Sequence, residues 1–356
     1  MAIIKLIVSF LLSISQVLTP ITAYVSNFGE KSFFTEWSAS DEFTADYCAE
    51  IEKDPNEDFV VLNLADVQLE DHNLYADTGV NSSKIIDNLV AQLNPDLITL
   101  SGDNAWGTMA YIELIKQIDA YGIPWAPVMG NHDGQNCVSE FWAAYLLSQA
   151  ENCLFEFGPE DMGYGNYIIN ITENGKIIHT LFMLDTHNNS TFTLEDGSIV
   201  SGYDHLWDNQ IEWYKWAVNG ISAIEGKTVE STVIMHIPVY EYRYAWAEAY
   251  GSDEWGTLDS SLSPDAIGVN GEGIFSSPVN NGFFGVCKEL GSTKNMIVGH
   301  DHANNFQIVY EGIRLSYALK TGYGCYFTEG LIGGTTLTIG SDGSAYAEHV
   351  YMTENA

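Results

Sequence analysis

A chain of 356 residues with 48 acidic side chains against 13 basic ones carries a formal charge of −35. Such a surface repels nucleic acid and anionic membranes, and both are excluded as partners. With only 17% of residues charged, 46% hydrophobic and 13% aromatic, disorder is excluded as the explanation of that charge; there is core enough for one large domain or two smaller ones.

The chain begins "MAIIKLIVSFLLSISQVLTPITAYVS", in which Lys5 precedes an apolar core from Leu6 to Leu18 and a small-residue region around Ala23. This is the layout of a secretory signal peptide over residues 1–23, with cleavage expected near Ala23 or Ser26. The apolar part is short for a membrane anchor, and Pro20 interrupts it. No other stretch is long and apolar enough to span a bilayer, so no stable membrane insertion is expected. Secretion agrees with glycosylation triplets at Asn81, Asn170, Asn188 and Asn189. Five cysteines, Cys48, Cys137, Cys153, Cys287 and Cys325, fit no zinc-finger spacing. Cys137 and Cys153 flank one predicted helix and are expected to pair as a disulfide. The odd total leaves at least one thiol free or bonded to another chain.

Residues 24–56 are polar and acidic and read as an N-terminal extension; the domain proper is expected over 57–352. "FVVLNLAD" predicts a buried strand. "SSKIIDNLVAQLN" follows with Ile85, Ile86, Leu89, Val90 and Leu93 at helical spacing and Ser82 as N-cap. "PDLITLSGD" is a second strand, "YIELIKQIDAYG" a second helix ending at Gly, and "PWAPVMGNHD" a third strand. This alternation predicts parallel pairing with right-handed crossovers. Next, "YGNYIINITENGKIIHTLFMLDT" predicts a hairpin around Asn174-Gly175, and "DNQIEWYKWAVNGI" a helix. "STVIMHIP" and "KNMIVGHDH" are short apolar strands, and "RLSYALK", "TTLTIG" and "AYAEHV" are hairpin-like pieces. Residues 240–283, rich in Gly, Ser, Tyr and Trp, read as a long ordered loop. The expected architecture is one α/β domain of two packed mixed β-sheets with helices outside.

Five strands end in polar side chains: Asp66 with Gln68 beyond it, Asp103, then Asn131, His132 and Asp133, then His236, then His300, Asp301 and His302. In open α/β sheets such ends converge on one crevice. Singly, each is a turn former, a cap or a rim residue; five together point to metal. Asp, Asn, Gln and His without Cys form a hard-to-borderline donor set suited to Fe, Zn or Mn. There are too many donors for one tetrahedral ion and enough for two, bridged by a carboxylate at roughly 3.5–4 Å. Two divalent ions outweigh the charges of Asp66 and Asp103, and distant surface charge is screened beyond about 8 Å, so an anionic phosphate can bind.

In this order, "ADVQ", "SGDN", "GNHD", "MHIP" and "GHDH" resemble the calcineurin-like metallophosphoesterase superfamily, whose pattern is Asp-X-His, Gly-Asp, Gly-Asn-His-Asp/Glu, His, Gly-His-X-His. "GYDHLWDNQIEWYKWA", "GEGIFSSPVNNGFFG", "VGHDHANNF" and "LSYALKTGYG" are similar to its purple-acid-phosphatase-related branch with the phosphatase domain alone. The resemblance covers roughly residues 58–330 and implies a metallophosphoesterase-like β-sandwich with a βαβαβ signature. It implies two metal ions, the first on Asp66, Gln68, Asp103 and His302, the second on Asp103, Asn131, His236 and His300. It also implies that His132 protonates the leaving oxygen while Asp133 orients its ring. Two departures stand out. Gln68 replaces the usual His, and Trp106 stands where purple acid phosphatases carry a metal-binding Tyr. Asp185 and His187 end another strand and are expected to support the ligands from behind or to be structural, rather than to ligate. Arg314 and Lys320 are expected either to touch substrate or to form plain salt bridges, and "YEYRYAWAEAYGSDEW" either to wall the pocket or to pack as loop.

The expectation is a secreted or lysosomal/vacuolar metal-dependent hydrolase of small phosphorylated substrates. It is read as an acid phosphomonoesterase in which metal-activated hydroxide attacks phosphorus. The alternatives are a phosphodiesterase or nucleotide hydrolase on the same site, and a catalytically silent secreted binding protein.

Overall fold

In the computed structural model, which describes residues 33–135 and 139–352, apolar runs and amphipathic helices build two mixed sheets packed together. The expected signal peptide, with its cleavage points, and Cys137 lie outside the described residues. Cys153, the partner expected for Cys137, is a free thiol, as are Cys48, Cys287 and Cys325.

The first half supplies β1 (Ala49–Glu52), β2 (Phe59–Leu64), β3 (Leu69–Glu70), α1 (Asp77–Leu93), β4 (Leu97–Ser101), β5 (Ala105–Trp106), α2 (Thr108–Asp119), β6 (Trp125–Val128) and α3 (Glu140–Ser148). It continues with β7 (Tyr167–Glu173), β8 (Lys176–Met183), β9 (Asn189–Thr193) and β10 (Ile199–Tyr203). The second half adds α4 (Asp208–Glu225), β11 (Glu230–Ile234), α5 (Glu241–Tyr250), β12 (Gly256–Thr257), β13 (Ala266–Ile267), β14 (Val269–Asn270) and α6 (Phe283–Leu290). It closes with β15 (Thr293–Val298), β16 (Gln307–Tyr310), β17 (Ile313–Tyr317), β18 (Gly333–Ile339) and β19 (Ala345–Tyr351).

One sheet has the order β19-β18-β2-β4-β6, its last three strands parallel. The other runs β1-β7-β8-β11-β15-β17-β16-β13, parallel from β8 to β17. Period-two alternation sorts the second sheet's side chains between two cores. Leu181, Met183, Ile234 and Ile297 join the core shared with the first sheet and α1 to α3. Phe182, Val233, Met296 and Val298 join a second core with Trp213, Tyr214 and Ala217 of α4. The hairpin β7–β8 turns at Asn174 and Gly175, both at positive φ (53° and 71°), the geometry a two-residue turn needs to follow the strand twist. Residues ahead of β2 pack on the same body. β1 pairs with β7, and Trp37, Phe43 and Tyr47 surround the Trp216 ring.

Three local expectations change. Helix α1 begins at Asp77, so Ser82 is not its N-cap. The Ser82 hydroxyl donates to the Thr78 carbonyl and accepts from the Tyr323 amide, tying the helix to a distant loop. The stretch after His236 is not loop alone but forms α5, because Tyr242, Ala245 and Trp246 share a buried face at helical spacing. Asn170 is fully buried on β7, its Oδ1 accepting from Thr180, so the folded chain offers no glycan site there.

Candidate metal centre

The carboxyl ends of β2, β4 and β6 in one sheet meet those of β11 and β15 in the other, and the loops leaving them carry every side chain expected as a ligand. These turns are tight. Asp66, Gln68, Asp103 and His300 all adopt positive φ (50°, 44°, 51° and 80°), a conformation non-glycine residues avoid unless their surroundings enforce it. Close approach explains two motif glycines. A β-carbon on Gly130 would lie 2.2 Å from the Asp103 amide nitrogen, and one on Gly299 would lie 2.5 Å from the Asp66 Oδ2.

His236 stands at the middle. Its Nδ1 donates to the Ser101 carbonyl at 2.9 Å, which turns Nε2 inward. That nitrogen lies 3.1 Å from Asn131 Oδ1, 3.3 Å from His300 Nδ1 and 3.4 Å from Asp103 Oδ1. With the His236 ring neutral these are all acceptors, and they repel one another unless a proton or a metal cation sits among them. These three spacings from His236 are close to the ligand–ligand distance, about 3.3 Å, around a zinc-like ion whose ligands stand ~2.0–2.1 Å away. The donor set at this point therefore fits a divalent metal. Asp66, Asp103 and His236 each bring a ligand atom within 4.8 Å of the others. On the far side His302 donates Nδ1 to the Tyr326 carbonyl at 2.8 Å, leaving Nε2 3.3 Å from Asp66 Oδ1.

The electrostatics agree. Burial resists ionisation of Asp103 and Asp66, yet His236 beside the first and His302 beside the second hold both below the usual carboxylate range. Burial likewise opposes charge on His236, but Asp103 overrides it and raises the ring to about 10. His300, buried and next to His236, is pushed down to about 3. Two carboxylates sealed from water thus concentrate a field that demands positive charge.

Gln68 arrives at the centre in an unexpected role. Its Nε2 donates to Asp103 Oδ2 at 2.9 Å, and its Oε1 accepts from the Lys320 ammonium at 2.8 Å. Lys320 is buried and also donates to the Asp66 carbonyl at 2.8 Å; burial lowers it to about 8. Of the two bases singled out in the sequence, Arg314 lies 3.5 Å from Asp265 near the surface, whereas Lys320 belongs to the centre.

Asp133 does not steer the His132 ring. Its carboxylate accepts from the Gly130 amide (2.7 Å), from Asn104 N (2.8 Å) and Nδ2 (2.9 Å), from Ala105 N (3.2 Å) and from the Tyr111 hydroxyl. Those donors pin the "GNHD" turn to the "SGDN" turn; burial, with Asp103 nearby, raises the group to about 7. The ring of His132 is oriented instead by Trp106, stacked on it at 5.1 Å and 29°. Its backbone amide donates to Asp103 Oδ1, and its Nε2 stands 4.0 Å from Asp103 Oδ2 with the side chain 30% exposed.

Sequence reasoning missed several partners. Asn188 donates Nδ2 to the Asn131 carbonyl, so this triplet's nitrogen already serves the site. Asn81 and Asn189 are the other exposed triplet asparagines. Tyr203 meets His300 edge-on at 4.3 Å, and Tyr326 stacks on His302 at 4.2 Å. Asp301, between two expected ligands, turns away to the Phe275 amide and the Tyr317 hydroxyl. Asp185 accepts from the Tyr164 and His187 amides, and the His187 ring stacks on Trp207 at 3.8 Å, both structural roles. Tyr240, Arg243, Tyr244 and Trp246 line a cavity of about 370 Å³ with Asn270 and Phe275.

Comparison with known proteins follows the geometry. The family model for calcineurin-like phosphoesterase matches residues 59–267. The chain is 28% identical over 275 residues to an Arabidopsis thaliana protein named "Probable inactive purple acid phosphatase 14", covering 70% of this chain and 64% of that one. It is 28% identical over 228 residues to phosphatase DCR2 of Saccharomyces cerevisiae, covering 60% of this chain and 36% of that one. The chain thus spans less than two thirds of the length of these relatives. A solved dimetal phosphatase from Danio rerio superposes with a TM-score of 0.48 at 12% identity, covering 81% of this chain and 98% of that one. With 59–267 matched end to end across the turns that carry Asp66, Asp103, Asn131 and His236, the chain belongs to the calcineurin-like metallophosphoesterases, on their purple-acid-phosphatase-related branch.

Proposed function

We propose that the protein is a metal-dependent phosphoric-ester hydrolase acting on small phosphate monoesters in a secreted or lysosome- or vacuole-like compartment. The observation that carries this reading is the approach of Asn131 Oδ1, His300 Nδ1 and Asp103 Oδ1 to within 3.1–3.4 Å of the buried His236 Nε2. A divalent ion held there supplies charge neutralisation for a phosphoryl oxygen and acidifies a water. The chain's own groups do the rest. His132, on the open side and stacked on Trp106, is placed to pass a proton to a leaving oxygen. Asp133 keeps the Asn131 turn docked on the Asp103 turn, and Asn188 holds the Asn131 carbonyl.

The test is hydrolysis of p-nitrophenyl phosphate beside its bis ester after loading with Mn²⁺, Zn²⁺ or Fe²⁺. The monoester is expected to turn over faster, and His132→Ala to lower kcat by about 10²–10⁴-fold on an alkyl phosphate, whose poor leaving group needs the proton. Faster diester cleavage would transfer the reading to a phosphodiesterase. A second reading, a silent binding protein, draws on Gln68 lying under Lys320 and on the word "inactive" in the plant relative's name. It predicts retained metal, no turnover of either ester, and no effect of His132→Ala.

A further inference from the structure

We infer that Gln68 and Lys320 close one half of the centre, so that it takes a single divalent ion, at the His236–Asn131–His300–Asp103 point. The inference rests on reading this crevice as a metal centre and deepens it. At the Asp66–His302 half, the protein donors are Asp66 Oδ1, which also accepts the His300 amide at 3.2 Å, and His302 Nε2, 3.3 Å from it. A third, Asp103 Oδ2, would share its lone pairs with the Gln68 amide at 2.9 Å, as Oδ1 shares its own with the His132 amide at 2.8 Å. The fourth, Gln68 Oε1, already accepts the Lys320 ammonium at 2.8 Å.

The amide cannot turn over to help. It lies between a carboxylate and an ammonium, so rotation would face its oxygen to Asp103 and its NH₂ to Lys320, exchanging two charge-assisted hydrogen bonds for two repulsions. Lys320 is itself fixed, 2% exposed and held to the Asp66 carbonyl at 2.8 Å, with the residue after it bonded back to Ala65. Releasing Gln68 to a metal would strand this buried cation without a side-chain acceptor. Without Gln68 this half keeps three side-chain donors at most, and the Lys320 ammonium beside them already supplies the positive charge a second ion would bring. The other half has four, and its field is already assembled.

The test uses the full chain, stripped with chelator, reloaded with MnCl₂, desalted and analysed for metal content and by Mn(II) electron paramagnetic resonance. One manganese per chain with the spectrum of an isolated ion is expected, and His236→Ala should abolish it. Gln68→His, alone and with Lys320→Met, should raise the content to two and produce the spectrum of an exchange-coupled pair. Two coupled ions in the unmodified chain would overturn the inference and leave the metal-centre reading standing. No retained ion would overturn both. A content that stays at one in the double variant would show that Gln68 and Lys320 are not what closes the second position.

Discussion

A β-carbon on Gly130 has no room: it would stand 2.2 Å from the Asp103 amide nitrogen and 2.4 Å from Asp103 Oδ1. The contact joins the two turns that Asp133 also fastens, and it places Asn131 against Asp103. Gly130→Ala must push those turns apart, an overpacking worth about 1–3 kcal/mol of stability. The more telling effect is on the centre, because Asn131 moves with the turn; Mn²⁺ affinity should fall at least ~10-fold, the loss that misplaced ligands and their supports typically bring. A titration matching that of the unmodified chain would show that the close approach is slack. At this scale the sequence was readable where chemistry is concentrated. Hard polar side chains closing apolar strands announced Asp66, Asp103, Asn131, His236, His300 and His302. It was unreadable where role depends on a neighbour far along the chain. Gln68 and Lys320 are 252 positions apart, and nothing local says that one will occupy the other. Asp133 looked like an orienting group because it adjoins His132, yet its oxygens belong to Asn104, Ala105 and Gly130.

Among elements, β8 is the hinge of the packing. Its His179 is fully buried, with Nδ1 on the Gly343 carbonyl in the β18–β19 turn and Nε2 on the Thr232 hydroxyl of β11. One imidazole therefore ties the two sheets. Burial holds it down to about 4 from an ordinary 6.5. A histidine depressed on folding takes up its proton in the unfolded chain first, so its contribution is complete above 6.5 and is lost as pH falls toward 4. The full window is worth roughly 3 kcal/mol. His179→Asn, which can still hydrogen-bond but does not titrate, should therefore lose less stability than the unmodified chain between about pH 7 and about pH 4 in denaturant unfolding. Equal losses would remove His179 as the cause. Strand order β2-β4-β6 and the β7–β8 hairpin were legible because period, length and turn residues all agree there. Helix α5 was not: its Ala, Glu and Arg favour helix, but its apolar stripe is only Tyr242, Ala245 and Trp246, too short to stand out beside the Gly- and Ser-rich sequence that follows.

Over the whole molecule the 48 acidic and 13 basic side chains set a problem for any anionic substrate. Near the centre the field is ruled by what Asp66, Asp103 and their partners hold; farther out it is ruled by the surface, and the surface repels phosphate. Salt separates the two ranges. The screening length shrinks from ~30 Å at about 10 mM to ~8 Å at about 150 mM, which removes the distant repulsion and leaves close, buried interactions almost untouched. For an enzyme whose charge attracts its substrate, added salt lowers kcat/KM. Here the sign should reverse. kcat/KM for p-nitrophenyl phosphate should rise by roughly twofold to tenfold across that range of NaCl, while kcat, set by the bound complex, stays level. A fall instead would mean that the centre's own positive field reaches past the acidic surface and steers the anion in. That outcome would demand more cation at the crevice than one divalent ion and Lys320 provide, so the salt response and the metal content must be read together.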